Sequence, residues 1–180
     1  MENSNRKIQI GVMGSTSDLN YSKEVEKIAE EVGFLIAEKG GALIFGAEKD
    51  FDSLSTAACR GAKKAGGLTV GVTYGKGFDV FEKKNADIII PTGLERGGGR
   101  EFTLVLSCDA VIAINGGSGT LTEMTIAYQA NIPMVAIRGT GGWSEKLAET
   151  YIDNRKRVKV KLADNAKEAV EYAFKVAREK

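Results

Sequence analysis

Apolar residues fall in short dense runs, separated by stretches whose apolar positions have helical spacing. Lys7 to Met13 alternates as a buried strand does and runs into the turn Gly14–Ser17, after which Val25, Ile28, Ala29 and Val32 recur at i, i+3, i+4, i+7. The strand signal repeats in Ala42–Phe45, Leu68–Thr73, Asp87–Ile90, Asp109–Ile114, Met134–Ile137 and Val158–Val160. Most of these runs are too continuously apolar for a sheet with one wet face. Ser53 to Ala65, Arg100 to Cys108, Thr120 to Ala130, Gly142 to Asp153 and Asn165 to Arg178 read as helices, the last with Ala166, Val170, Ala173, Phe174 and Ala177 on one face. Strand alternating with helix predicts one α/β domain, residues 1–180, built on a doubly wound parallel sheet of about seven strands in three α/β/α layers. Such sheets bind ligands beyond the carboxyl ends of their strands, where strand order reverses. Chemistry is therefore expected in the turns that follow strands.

Asn115–Glu123, reading Asn-Gly-Gly-Ser-Gly-Thr-Leu-Thr-Glu, is such a turn between a strand and a helix. The junction aims backbone N–H groups and the positive end of a helix dipole at one spot, a means of holding phosphate without metal or lysine. Gly116, Gly117, Ser118, Gly119 and Thr120 would form the cradle. Glu123 adds a carboxylate that phosphate binding does not need. It either complements the helix dipole or serves chemistry beside the phosphate, stabilising positive charge on a sugar ring or positioning water at its anomeric carbon. Gly14 and Ser15 open a second strand-to-helix turn, which can face the first across the crevice or can simply be a tight connection of small residues. Gly97–Arg100 makes a further possible anion nest, with Gly98 and Gly99 supplying amides and Arg100 a permanently charged guanidinium suited to phosphate or carboxylate. Trp143 follows a strand on the ligand side, where it can stack on a flat ligand or pack the domain edge; Arg155, Lys156 and Arg157 read as a solvated basic face.

Composition narrows the chemistry. Glycine is 22 of 180 residues and proline only 2, so the glycines punctuate turns rather than belong to a disordered tract. Lys+Arg 25 against Asp+Glu 24 leaves a net charge of +1, without the basic footprint of a nucleic-acid binder. Histidine is absent, which removes the commonest general base and zinc ligand and leaves acid–base work to carboxylates. No metal site is expected. The two cysteines, Cys59 and Cys108, sit in apolar helix-like stretches and read as small buried hydrophobes. No run reaches the roughly 18 apolar residues of a membrane span and the polar N-terminus lacks a signal-peptide core, so a cytoplasmic protein is expected. A nicotinamide fingerprint, three spaced glycines with an acid about 20 residues on, is missing.

Arg100, just ahead of the strand at Asp109–Ile114, and the run Gly116–Glu123 together resemble the lonely-guy (LOG) family, formerly labelled lysine decarboxylases, with its Gly-Gly-x-Gly-Thr-x-x-Glu motif. Gly11–Ser15 and Gly61–Gly71 are similar to further family elements. The resemblance implies a Rossmann-like fold, a homodimer or higher homo-oligomer with sites at the interface, and hydrolysis of nucleoside 5'-monophosphates to free base and ribose 5-phosphate without a cofactor. It makes Arg100 and Glu123 catalytic and assigns the phosphate to Gly116, Gly117, Gly119 and Thr120. Three positions depart from the family pattern: the glycine-rich second loop reads Gly46–Leu54 with the acids Glu48, Asp50 and Asp52, the motif's opening proline is Asn115, and the lysine after the arginine is Glu101. These departures resemble the branch that includes molybdenum-cofactor carrier proteins, which bind a phosphorylated pterin without transforming it. The expected function is thus a nucleotide phosphoribohydrolase built on this cradle; the alternative is a non-catalytic carrier or sensor of a phosphorylated cofactor or nucleotide.

Overall fold

A computed structural model describes residues 6–95 and 99–179. Seven strands form one all-parallel sheet: β1 (Gln9–Gly14), β2 (Ala42–Gly46), β3 (Leu68–Thr73), β4 (Ile88–Pro91), β5 (Ala110–Ile114), β6 (Met134–Ile137) and β7 (Lys161–Ala163). Their order is β4-β3-β2-β1-β5-β6-β7, so the direction of winding reverses between β1 and β5. The expected doubly wound, Rossmann-like sheet is the fold of this chain.

Both faces of the sheet are covered over its central strands, which explains strands without polar alternation. In β5, Ala110, Ile112 and Ile114 face one core, shared with α1 (Lys23–Glu38), α2 (Leu54–Lys64) and α6 (Ala166–Arg178). Val111 and Ala113 face the other, shared with α3 (Arg100–Leu106) and α4 (Ser118–Gln129). Helices α1 and α2 cross at backbone contact: a Cβ on Gly33 would lie 1.8 Å from the Ala58 carbonyl oxygen, and one on Gly61 1.8 Å from that of Glu30. Ser22, Ser53 and Asn165 cap α1, α2 and α6, each side chain accepting a hydrogen bond from the backbone N–H three residues on. Cys59 and Cys108 are both buried and free. No described helix is long and apolar enough to cross a membrane.

Two elements differ from the sequence pattern. The last strand is Lys161–Ala163 rather than Val158–Val160: Val160 turns into the second core and exchanges backbone bonds with Glu149 and Thr150, and pairing with β6 starts only at Lys161. The helix expected from Gly142 to Asp153 stops after one turn, as α5 (Gly142–Lys146). Glu149 has a positive φ of 59° and gives its N–H to Val160, so the chain cannot continue as a helix there.

Candidate functional site

The loops after β1 and β5 part where strand order reverses, and between them lies a cavity of about 420 Å³. Helix α4 enters it by its N-terminus. Gly117 caps α4 without a side chain, and the first intrahelical bond is donated by Leu121 to Gly117 at 3.1 Å. The amides of Ser118, Gly119 and Thr120 therefore precede the helical ladder, on residues that line the cavity. Gly14, Ser15, Gly99, Arg100, Gly117 and Glu123 line it too.

Gly116 does not. Its N–H is spent inside the loop, donated to Ser15 Oγ at 3.0 Å and Asn115 Oδ1 at 2.7 Å, so the cradle starts one residue or more later than the motif suggests. The Ser15 hydroxyl also donates to Asn115 Oδ1, at 2.8 Å. Asn115 thus ties the β1 loop to the β5 loop, and its Nδ2 reaches the Thr140 carbonyl at 2.7 Å. Its φ is +58°, which explains the departure from the family's proline: proline is held near −65°. The loop after β6 braces the turn from behind, with Trp143 N–H on the Gly116 carbonyl at 2.9 Å and Ser144 N–H on that of Asn115 at 3.0 Å. Such closeness requires glycine at 142, where a Cβ would lie 2.4 Å from the Asn115 carbonyl carbon. Trp143 itself is exposed, outside the cavity, with Lys146 over its ring.

The opposite wall is charged and buried. Arg100, 4% exposed as the first residue of α3, places Nη1 3.2 Å from Glu48 Oε1 and Nη2 3.7 Å from Glu101 Oε1 and 4.0 Å from Glu123 Oε1. Its guanidinium lies 3.9 Å from the centre of the Tyr74 ring, whose hydroxyl donates to Glu101 at 2.9 Å. Among the described residues the buried Arg100 Nε has no hydrogen-bond partner. The carboxylates that engage Arg100 therefore belong to the protein itself, whereas the sequence suggested an arginine open to a ligand's phosphate or carboxylate.

Glu123 belongs to the second turn of α4 and is 6% exposed, so it is not a surface group complementing the dipole. Burial pushes its carboxyl up to about 8, against the pull of Arg100 and with the help of the Glu101 and Glu48 carboxylates. Near neutral pH it carries a proton. The Tyr74 hydroxyl is likewise raised, by burial first.

The acidic loop after β2 is divided. Glu48 turns inward to Arg100, while Asp52 is held by Arg60, whose Nη1 lies 3.0 Å from both its oxygens. Arg60 also binds Glu26 at 2.6 Å, Glu30 at 3.1 Å and Glu82 at 3.3 Å, tying α1, α2 and two loops together. The loop is thus fixed by internal ion pairs, and only Glu48 of its three acids lines this cavity. Glu48 and Glu101, two of the three departures from the family pattern, meet on one guanidinium. Tyr74 carried no signal in the sequence. Gly98 lies outside the described residues. No group of histidine, cysteine or acidic side chains among the described residues is arranged to hold a metal ion.

Residues 7–170 match the SLOG cluster4 family. An uncharacterized protein of Archaeoglobus fulgidus is 40% identical over 122 residues, which span 68% of this chain and 74% of that one. Among solved structures, TM1055, a structural-genomics target, superposes with a TM-score of 0.82 at 28% identity, over 93% of this chain and 99% of its own. The molybdenum cofactor carrier protein of Chlamydomonas reinhardtii gives 0.81 at 29% over 96% and 99%, and the molybdenum cofactor binding protein of Rippkaea orientalis 0.79 at 31% over 96% and 99%. With a match that spans nearly all of its length, this chain belongs to the SLOG cluster4 family.

Proposed function

We propose that the protein binds a phosphorylated small molecule with a nitrogen-containing ring, as a carrier or sensor. The observation that carries this reading is the N-terminus of α4, whose first three residues, with amides ahead of the helical ladder, line one cavity together with Arg100 and its carboxylates. The phosphate would sit on Ser118, Gly119 and Thr120, where amides and dipole favour an anion. A protonated Glu123 adds no repulsion there. Arg100, already matched by Glu48 and Glu101, would hold those acceptors in place for N–H donors of the ring. The likeness to molybdenum cofactor carrier and binding proteins over nearly the whole chain supports this reading.

A second reading is hydrolysis of a nucleoside 5'-monophosphate, favoured by the pairing of Glu123 with Arg100 at 4.0 Å. The Glu123 proton would pass to the departing base nitrogen as the C–N bond breaks, water would attack the anomeric carbon, and the water's proton would return to the Glu123 carboxylate, giving base and ribose 5-phosphate. The experiment that separates the two incubates the protein with a panel of nucleoside monophosphates and measures free base alongside binding. The carrier reading predicts saturable binding with no base released. Base release abolished by Glu123→Gln and by Arg100→Ala would replace it with the hydrolase.

The homo-oligomer implied by the resemblance would use the exposed apolar residues Phe102 and Leu106 of α3 and Ile88 and Ile90 of the edge strand β4. Phe102 also lines the cavity, so a second copy there would border the site; sedimentation velocity tests it.

A further inference from the structure

The loops after β2 and β3 enclose a second cavity, of about 330 Å³, beside the first. They are joined by the Phe81 N–H on the Glu48 carbonyl at 2.7 Å and by Lys49 on Asp79 at 3.5 Å. Glu48 and Tyr74 line both cavities, so the two adjoin, the pair following the carboxyl edge of the sheet from β5 and β1 to β2 and β3. The charges along it change character. At the α4 end the lining offers amide donors; in the second cavity, with Lys49 occupied by Asp79, it offers the carboxylates of Asp50 and Glu95 against Lys76. Carboxylates only accept hydrogen bonds and repel anions.

We propose that the second cavity is a subsite for the end of the ligand remote from its phosphate, and that it selects a ring edge bearing N–H donors, as on an amino-substituted heterocycle, over a second anionic group. The proposal rests on phosphate binding at α4. It assigns the pair of cavities a direction: anion over β5 and β1, donor-rich edge over β2 and β3. The acidic loop that breaks the family's glycine-rich pattern then becomes a specificity element. Asp50 and Glu95 are both exposed, so their amide variants leave the buried Arg100 cluster intact.

Calorimetric titration with ribose 5-phosphate, guanosine 5'-monophosphate and inosine 5'-monophosphate tests this, because the last two differ only by an exocyclic amine. The wild type is expected to bind the guanosine ester about tenfold more tightly than the inosine ester, as a hydrogen bond to a charged acceptor warrants. In the Asp50→Asn, Glu95→Gln double variant that preference is expected to vanish while ribose 5-phosphate affinity is unchanged. In 15N spectra the amide signals of Gly75 and Gly77, two residues that line the second cavity, should shift with the guanosine ester and not with ribose 5-phosphate. Equal affinity for the two esters in the wild type, or a preference that survives both substitutions, overturns the subsite while leaving phosphate binding standing. Failure of ribose 5-phosphate to bind removes the anchor, and with it the proposed function as well.

Discussion

Replacing Glu123 by glutamine is expected to change the pH dependence of stability. The carboxyl titrates near 4.5 when exposed and near 8 in the folded protein, because burial, aided by Glu101 and Glu48, outweighs the attraction of Arg100. Between those values the folded state keeps a proton that the unfolded state has released. Stability linked to Glu123 is then fully present below pH 4.5, falls by about 1.4 kcal/mol per pH unit through the window, and levels off above 8. The accumulated loss is on the order of 4–5 kcal/mol. Glutamine carries no titrating proton, so the variant lacks this slope while sharing every other one. Urea unfolding at pH 5, 6, 7, 8 and 9, followed by the fluorescence of Trp143, the chain's one tryptophan, measures the difference directly. Variant minus wild-type stability should rise from pH 5 to about 8 and then stay flat. A difference constant over the whole range would mean that Glu123 is ionised beside Arg100 at neutral pH, with no proton to give a departing base and a charge that repels a phosphate at α4.

Gly119→Ala should separate folding from binding: a Cβ there meets nothing within 4 Å, so a helical alanine stabilises by about 0.5–1 kcal/mol, while the methyl group enters the proposed anion site and weakens ribose 5-phosphate binding at least about tenfold. Urea unfolding and calorimetry check the two halves, and unchanged affinity would move the anion elsewhere. Asn115→Pro should cost about 3 kcal/mol or more, since proline cannot adopt a φ of +58° and lacks the N–H given to Thr140 Oγ1; Asn115→Gly, losing only the side-chain bridges, should cost about 1–2 kcal/mol by the same urea assay. Arg60→Met should cost about 2 kcal/mol by leaving four carboxylates around an uncharged side chain, with a smaller difference from wild type in 1 M salt.

Much of this architecture was readable from the chain because a parallel sheet buried on both faces writes itself as dense apolar runs, and Val111–Ile114 is wholly buried whichever way each residue points. The failures have physical causes. Val158 and Val160 look more like a strand than Lys161–Ala163, yet register with β6 selects the latter, and the helix at Gly142 is cut short by the positive φ of Glu149. In the site, the glycine turn, Arg100 and Glu123 stood out as residue types at telling positions. What surrounds Arg100 did not, because Glu48 lies 52 residues away and Tyr74 reaches the guanidinium from the end of another strand. Motif glycines also look alike in sequence, whereas the structure divides them: the Gly116 amide binds Ser15 and Asn115, while Gly117 and Gly119 line the cavity.

Whether the start of α4 is the phosphate site is decided by titrating ribose 5-phosphate into 15N-labelled protein and following the amides of the glycine turn. Saturable downfield shifts are expected at Ser118, Gly119 and Thr120, with Gly116 little moved because its N–H is already bonded within the loop. No shift at those three amides, or shifts confined to the surface around Arg155–Arg157, would contradict it.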